Sequence, residues 1–142
     1  MSGASAREIA VEQTRVLRQS ILRPHESLTQ LAAGEPAEVF AAGVLDGDGT
    51  PLAVGFIAPD GPPGSWRVRA MATDAAARGQ GHGAAVLERL LLHARERDAT
   101  RVWCNARVPA RAFYERAGFH ATSEEFEIAP IGPHVVMEVS LR

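Results

Sequence analysis

The sequence predicts one mixed α/β domain, and three features support this prediction. Its 142 residues are about the length of one domain, and a chain of this size buries roughly 70% of its unfolded surface. The first half is rich in short strands joined by turns, whereas the second half contains a strand, a helix and a strand. No internal repeat or low-complexity linker divides the chain. We therefore expect a single domain over residues 1–142, with a disordered tail over residues 1–6.

Composition and charge exclude several classes of protein. Fifteen basic residues, all of them arginine, stand against seventeen acidic ones, and the formal net charge is -2. A protein with this charge balance lacks the strongly basic surface that binds nucleic acids or acidic membranes. One cysteine excludes an internal disulfide, and the five histidines lack metal-binding spacing. We expect a cytoplasmic protein without a metal site, a nucleic-acid partner or a membrane partner.

The first half of the chain predicts two helices and three strands. Helical spacing of apolar residues, ended by proline or glycine, predicts helices over Ile9–Leu22 and Ser27–Ala33. Apolar or alternating runs bounded by turn residues predict strands over Val39–Leu45, Leu52–Ala58 and Trp66–Thr73. The first two strands form a hairpin, because Asp46-Gly47-Asp48-Gly49 between them is a strong turn signal. We interpret most arginines on these elements as solvated.

The second half predicts two more helices and three more strands. An apolar stripe predicts a helix over Gly81–Arg97. Proline in the first turn and glycine just past the end predict a second helix over Pro109–Arg116. Alternation of apolar and polar residues predicts strands over Arg101–Asn105, Phe119–Ile128 and Val135–Leu141.

A glycine-rich turn, Arg78-Gly79-Gln80-Gly81-His82-Gly83, lies between a predicted strand and a predicted helix. Glycines let backbone N–H groups converge on one anion, and the helix N-terminus adds partial positive charge. The turn therefore predicts a phosphate or pyrophosphate site. A lysine-dependent P-loop is excluded because the chain has no lysine. A dinucleotide fold is disfavoured because residues 74–78 separate the strand from the first glycine, and no acid closes the next strand.

Two motifs give the chain a family resemblance. The turn from Arg78 to Gly83 resembles the R/Q-x-x-G-x-G/A acyl-CoA pyrophosphate loop of the GNAT superfamily of N-acetyltransferases. Downstream, the stretch A-R-A-F-Y-E-R-A-G-F, residues 110–119, resembles that superfamily's A-x-x-x-Y-E-x-x-G-F segment. The motifs occur in the family's order and on the expected elements. The strings Glu124-Glu125-Phe126 and Gly132-Pro133-His134 are similar to the ElaA-like branch of the superfamily.

The resemblance implies a mixed, mostly antiparallel twisted sheet of six to seven strands, with helices on both faces. The sheet would be splayed between its fourth and fifth strands, and acetyl-CoA would lie in that gap as a co-substrate. Backbone groups of three residues would pair with its pantetheine arm: Met71, Ala72 and Thr73. The pyrophosphate would be held by the turn of Arg78, Gly79, Gln80, Gly81, His82 and Gly83. The family's usual asparagine position holds Arg107 here, and Asn105 lies two residues earlier on the same side of an extended chain. Further cofactor contacts are therefore expected from Asn105 and Arg107.

The resemblance also implies acetyl transfer to a primary amine of a small molecule or a protein. It assigns Tyr114, whose hydroxyl is protonated at neutral pH, as the general acid for the CoA thiolate. A backbone N–H near Ala72 would stabilise the oxyanion. Candidates for the base are His134 and Glu125, and a chain of water molecules is an alternative. Direct transfer is preferred over an acyl-enzyme on Cys104, since a lone cysteine in an apolar strand is more often part of the core.

Other functions stay open at this point. A non-catalytic acyl-CoA-binding regulatory module would keep the turn but lack a working acid and base, and Tyr114 counts against it. A nucleotide-binding structural domain would bind ATP or NAD at the turn instead. The superfamily often forms dimers, so a homodimer is a further expectation. The mixed charge of the chain predicts an acceptor that is neither strongly acidic nor strongly basic.

Overall fold

The computed structural model describes residues 5–141. Eight strands within this range form one sheet. The strands are β1 (Arg7–Ile9), β2 (Phe40–Leu45), β3 (Pro51–Pro59), β4 (Ser65–Thr73), β5 (Arg101–Arg107), β6 (His120–Ala121), β7 (Phe126–Ile128) and β8 (Gly132–Ser140). Their order in the sheet is β1-β2-β3-β4-β5-β8-β6, and β7 also pairs with β8. Among these pairs only β4 and β5 are parallel, so the predicted mixed, mostly antiparallel sheet is confirmed.

Four α-helices accompany the sheet: α1 (Arg15–Leu17), α2 (Leu28–Ala33), α3 (His82–Glu96) and α4 (Arg111–Arg116). A 3-10 turn, Val11–Thr14, precedes α1 and a π turn, Arg18–Leu22, follows it. We refer to residues 11–22 as the N-terminal helical segment. Further 3-10 turns are Ala75–Ala77 and Val108–Ala110. Within residues 5–141, none of the helices has the length and apolar character needed to cross a membrane.

Helical elements cover both faces of the sheet, as predicted, and each covered face has its own core. On one face, α3 contributes Val86, Leu87 and Leu90 to the larger core. On the other face, Leu17 of the N-terminal helical segment packs in a smaller core with Phe56 of β3. Burial of such aliphatic and aromatic side chains stabilises each layer by roughly 1.5–3 kcal/mol per residue.

The predicted helix over Ile9–Leu22 is wrong at its beginning and in its orientation. Ile9 belongs to β1, which pairs with β2, and Ala10 is extended, so the helical turns begin only at Val11. Val16, one of the apolar residues whose spacing predicts this helix, is 68% exposed, whereas Arg18 is buried. The predicted tail over residues 1–6 falls mainly on residues 1–4, which lie outside the described residues; Ala6 packs against the larger core.

The predicted strand over Phe119–Ile128 is two strands, β6 and β7, and together with β1 this gives eight strands instead of six to seven. Between them the Ser123 hydroxyl accepts a hydrogen bond from the Val136 N–H at 2.9 Å and donates one to the Glu124 carbonyl. A side-chain oxygen therefore replaces a backbone partner at this point and interrupts the ladder.

Candidate active site

The sheet opens into a cleft between β4 and β5. These strands pair only at Ser65–Arg101, Trp66–Val102 and Arg67–Trp103. Beyond Arg67, β4 continues to pair with β3 alone and β5 with β8 alone. The resulting cleft has a volume of about 1390 Å³. The predicted splay between the fourth and fifth strands is therefore present.

The β4 wall of the cleft carries a strained bulge. Ala70 has a φ of 64°, a left-handed conformation that non-glycine residues rarely adopt and that costs of order 1–3 kcal/mol. The pairing of β3 with β4 changes register at the same place, between Val54 and Phe56. Gly55 faces the bulge, where a Cβ atom would collide with the sulfur of Met71. The predicted pantetheine-binding residues line the cleft directly after the bulge: Met71, Ala72 and Thr73.

The glycine-rich turn forms one end of the cleft. Gly79 and Gly81 have φ angles of 80° and 82°, so both positions favour glycine. Gly81 is the N-cap of α3 and provides no side-chain cap, which leaves the first N–H groups of the helix available. The two ring nitrogens of His82 are shielded from solvent and have no hydrogen-bond partner among the described residues. The turn therefore combines free backbone donors with an unpaired buried imidazole.

The residues of the turn do not all have the same place. Arg78 and Gly79 line the cleft, whereas Gln80 is exposed and lies outside its lining. Gly83 lines the cleft too, and a Cβ atom there would lie 3.3 Å from the Phe113 ring. The absence of a side chain at Gly83 thus permits the close approach of α4 to the start of α3.

Tyr114 projects from α4 into the larger core and also lines the cleft. Its ring makes edge contacts with Phe113 and Phe119, at centroid distances of 5.1 and 5.4 Å. Burial raises the pKa of Tyr114 well above its ordinary value, and the adjacent Cys104 thiol adds to the shift. The phenol is therefore a neutral O–H donor throughout the physiological range.

Cys104 is buried on β5 beside Tyr114, and burial raises the pKa of its thiol to about 12. Because the thiolate is the nucleophilic form, a thiol with this pKa is inert at neutral pH. This argues against the acyl-enzyme alternative.

His134 lies on β8, directly opposite Arg107 of β5, and is only 4% exposed. Its Nδ1 lies 2.8 Å from the Gly132 carbonyl oxygen. Since a carbonyl can only accept, Nδ1 donates this hydrogen bond, and the lone pair of the neutral tautomer lies on Nε2. His134 is part of the cleft lining, so this lone pair makes it a candidate base.

Glu125, the other predicted base, is exposed in the segment before β7 and lies outside the cleft lining. The interruption at Ser123 leaves Glu125 between β6 and β7, outside the ladder. The structure therefore places Tyr114 and His134 in the cleft lining, but not Glu125.

Asn105 and Arg107 both line the cleft from β5. Cys104 and Ala106 point into the larger core beside α3, so the alternation of a strand places Asn105 and Arg107 on the opposite face. There an Arg107 NH2 group donates to the Leu22 carbonyl at 2.7 Å, at the end of the N-terminal helical segment. Arg107 thus lies on the face away from α3, whose N-terminus carries the glycine-rich turn.

Positive charge dominates the cleft. Among the described residues that line it are eight arginines and a single carboxylate, Glu88. Five of the arginines come from the N-terminal helical segment and the residue after it, from β4 and from β5: Arg18, Arg23, Arg67, Arg69 and Arg107. We call these five the arginine cluster. The expectation that arginines on these elements are mostly solvated is wrong for Arg18, which is buried.

Aromatic rings support three residues of the arginine cluster on the face away from α3. The Arg18 and Arg69 guanidinium carbons lie 4.9 and 5.6 Å from the centre of the Phe56 ring. The Arg67 guanidinium lies 4.9 Å from the Trp103 ring, and Leu22 anchors Arg107 as described above. Cation–π contacts of this kind contribute about 0.5–2 kcal/mol each.

The charges of the cluster are only partly neutralised. Arg18, Arg23 and Arg67 form ion pairs with Glu35, Glu26 and Asp60. Within residues 5–141, neither Arg69 nor Arg107 has a carboxylate within 4.0 Å. Burial lowers the pKa of Arg69 and of Arg107, and neighbouring arginines lower both further. Since arginine stays protonated in proteins, these shifts mean that the charges repel one another and that an anion would be stabilised here.

Comparisons with known proteins agree with this geometry. A sequence model described as the acetyltransferase (GNAT) family matches residues 5–119. The uncharacterized N-acetyltransferase YitI of Bacillus subtilis (strain 168) is 36% identical over 141 residues, covering 94% of each chain. Among solved structures, Escherichia coli ElaA has a TM-score of 0.77 at 17% identity, covering 95% of this chain and 98% of its own. An aminoglycoside 6′-N-acetyltransferase complexed with coenzyme A has a TM-score of 0.80 at 11% identity, covering 96% and 97%.

Proposed function

The chain belongs to the acetyltransferase (GNAT) family, and on that basis we propose that it transfers the acetyl group of acetyl-CoA directly to a primary amine whose molecule also carries an oxyanion. Family membership supports acyl transfer from acetyl-CoA. The arginine cluster supports the acceptor class, because guanidinium groups bind carboxylates and phosphates in a bidentate manner. The overall composition predicts only that the acceptor is neither strongly acidic nor strongly basic, so the oxyanion is a more specific expectation.

The glycine-rich turn and the end of β4 fit acetyl-CoA as a co-substrate. A pyrophosphate at the turn would accept hydrogen bonds from the free N–H groups ahead of α3, with Arg78 adding a formal charge. It would also satisfy the unpaired ring of His82. Beyond Arg67, β4 has no strand partner on its β5 side, so Met71, Ala72 and Thr73 are available to the pantetheine arm.

Replacing Gly81 by alanine should raise the KM for acetyl-CoA and lower stability by about 1–2 kcal/mol, because alanine is strained at a φ of 82°. The measurements are steady-state kinetics with varied acetyl-CoA and thermal unfolding. Gly47→Ala is the control, since Gly47 lies in the β2–β3 turn outside the cleft and has open space for a Cβ atom. An unchanged KM in Gly81→Ala would argue against the turn as the pyrophosphate site.

His134 and Tyr114 would carry the two proton transfers. The Nε2 atom of His134 would take the proton from the amine, and its Nδ1–H bond to Gly132 would fix the ring as positive charge develops. The Tyr114 hydroxyl would donate to the departing thiolate, and its raised pKa keeps the proton in place until then. A backbone N–H near Ala72 would stabilise the negatively charged oxygen of the tetrahedral intermediate, as preorganised donors do in other acyl transfers.

The arginine cluster would hold the acceptor by its oxyanion and place the amine near His134. Arg107 and His134 occupy facing positions on β5 and β8, so an oxyanion bound beside Arg107 lies close to the proposed base. Arg69, which has no carboxylate partner among the described residues, would supply a second contact from β4. Fixing the acceptor at two points orients the amine for attack.

Matched amines test the acceptor class. We expect 3-aminopropanoate to have a kcat/KM at least about tenfold above that of 3-aminopropanamide, since a charged hydrogen bond contributes about 1.5–3 kcal/mol. O-phosphoethanolamine compared with ethanolamine tests phosphate in place of carboxylate. Arg69→Gln should reduce the preference for the anionic amines and leave the KM for acetyl-CoA within about twofold. Thiol release measured with each amine gives these constants.

The control for Arg69→Gln is Arg111→Gln, because Arg111 is exposed, pairs with Glu115 and lies outside the cleft. It removes the same charge from the protein and should leave the preference intact. Equal kcat/KM values for anionic and neutral amines in the wild-type protein would contradict the proposed acceptor class. Tight CoA binding without acetylation of any amine would favour the non-catalytic binding module.

A further inference from the structure

We propose that Glu35, which lies outside the cleft lining, is a positioning residue for the acceptor and acts through Arg18. This inference rests on the proposed function, because Arg18 belongs to the arginine cluster. Glu35 follows α2, seventeen residues after Arg18, and nothing in the sequence pattern connects them. The structure brings their side chains together on the acceptor side of the sheet.

The contact between Glu35 and Arg18 is short and buried. Glu35 Oε2 accepts a hydrogen bond from Arg18 NH1 at 2.6 Å, and the two side chains are 7% and 6% exposed. Burial alone would raise the pKa of Glu35, but hydrogen bonds from Arg15 and Arg18 lower it below its ordinary value. Glu35 is therefore a carboxylate at neutral pH. A buried charge-assisted hydrogen bond of this kind fixes the geometry of both partners.

Two further contacts fix the plane of the Arg18 guanidinium. NH1 also donates to Thr14 Oγ1 at 3.2 Å, and NH2 donates to the Leu31 carbonyl at 3.3 Å. The Phe56 ring supports one face of the group. Of the five N–H donors of an arginine, three are thus used by the protein. The other two, on Nε and NH2, remain for an oxyanion in the cleft that Arg18 lines.

Glu35 orients Arg18 without cancelling the positive charge. The same carboxylate is shared with Arg15, which donates through Nε at 2.9 Å and through NH2 at 2.8 Å. One carboxylate between two guanidinium groups leaves a net positive charge on the triad. Without Glu35, Arg18 would lose its strongest contact, and its long side chain would be free to adopt several conformations. The cost would appear in the binding of an anionic acceptor.

A substitution of Arg15 distinguishes a positioning role of Glu35 from a purely structural one. It tethers Glu35 to the N-terminal helical segment, as Arg18 does, but it does not line the cleft. Arg15→Gln therefore removes an ion pair of the same carboxylate without touching the proposed acceptor contact. It is the matched control for Glu35→Gln.

The test compares wild type, Glu35→Gln and Arg15→Gln in steady-state kinetics with 3-aminopropanoate and 3-aminopropanamide, together with thermal unfolding. For Glu35→Gln we expect the KM for 3-aminopropanoate to rise about tenfold, with little change in kcat, in the KM for acetyl-CoA or in the constants for the neutral amine. For Arg15→Gln we expect a lower Tm and an unchanged KM for 3-aminopropanoate. Equal KM increases in both variants, or an equal loss with both amines, would overturn the proposal.

Two further arms keep the outcome decisive. If Glu35→Gln does not fold, Glu35→Asp keeps the charge but shortens the side chain, and an unchanged KM for the anionic amine in a folded Glu35→Asp protein would also overturn the proposal. Dissociation constants of 3-aminopropanoate, measured by calorimetry on the CoA-saturated protein, do not depend on turnover. A wild-type protein that fails to distinguish the two amines refutes the proposed acceptor class. A wild type that distinguishes them while Glu35→Gln retains the wild-type constants refutes only the role of Glu35.

Discussion

Replacing Tyr114 by phenylalanine is expected to lower kcat by about 10²- to 10⁴-fold, the usual contribution of a general acid, while the KM for acetyl-CoA changes little. The ring sits between Phe113 and Phe119, and its hydroxyl lies within hydrogen-bond reach of the buried Cys104 thiol, a weak partner. The substitution therefore removes the proton donor and keeps the core. In the wild-type protein the raised pKa of Tyr114 also predicts no loss of activity from ionisation of this group up to at least pH 9.

Acetyl donors with different leaving thiols test the role of Tyr114 as the general acid. An acetyl thioester of a more acidic thiol needs less protonation, so the ratio of wild-type to Tyr114→Phe rates should shrink with such a donor. Stability is followed by thermal unfolding, and CoA binding by calorimetry. Wild-type turnover in a folded Tyr114→Phe protein would remove the proposed acid and leave water in that role.

Replacing His134 by glutamine is expected to lower kcat/KM for the amine by about 10²- to 10⁴-fold at neutral pH. Without the Nε2 lone pair, the amine must arrive already deprotonated. The deficit should therefore narrow as the pH rises towards the pKa of the amine. Rates measured over a pH series for both proteins give this dependence.

The control for His134→Gln is His120→Gln, since His120 is an exposed histidine on β6 outside the cleft lining. It should keep wild-type rates at every pH. Glu125→Gln tests the other base predicted from the sequence. If Glu125→Gln loses activity and His134→Gln retains it, the base is Glu125, and the exposed segment before β7 must reach the cleft when substrates bind.

Much of the fold could be predicted because its signals are local. The β2–β3 hairpin, α3 and the glycine-rich turn each depend on residues that are close together in the chain. The N-terminal helix was harder, because Val16 is exposed and Arg18 is buried, the reverse of an ordinary amphipathic pattern. A buried arginine beside an exposed valine breaks the periodicity on which such predictions depend.

The sequence by itself determined the glycine-rich turn, the position of Tyr114 and the family of the chain, because each depends on residue types at fixed short spacings. Only the tertiary structure decided that Arg18, Arg69 and Arg107 share one cleft and that His134, not Glu125, faces it. The physical reason is that the number of charges in a sequence does not show where their side chains point in the folded protein. Strand register and the opening between β4 and β5 set which side chains meet, and both arise from pairing between distant segments.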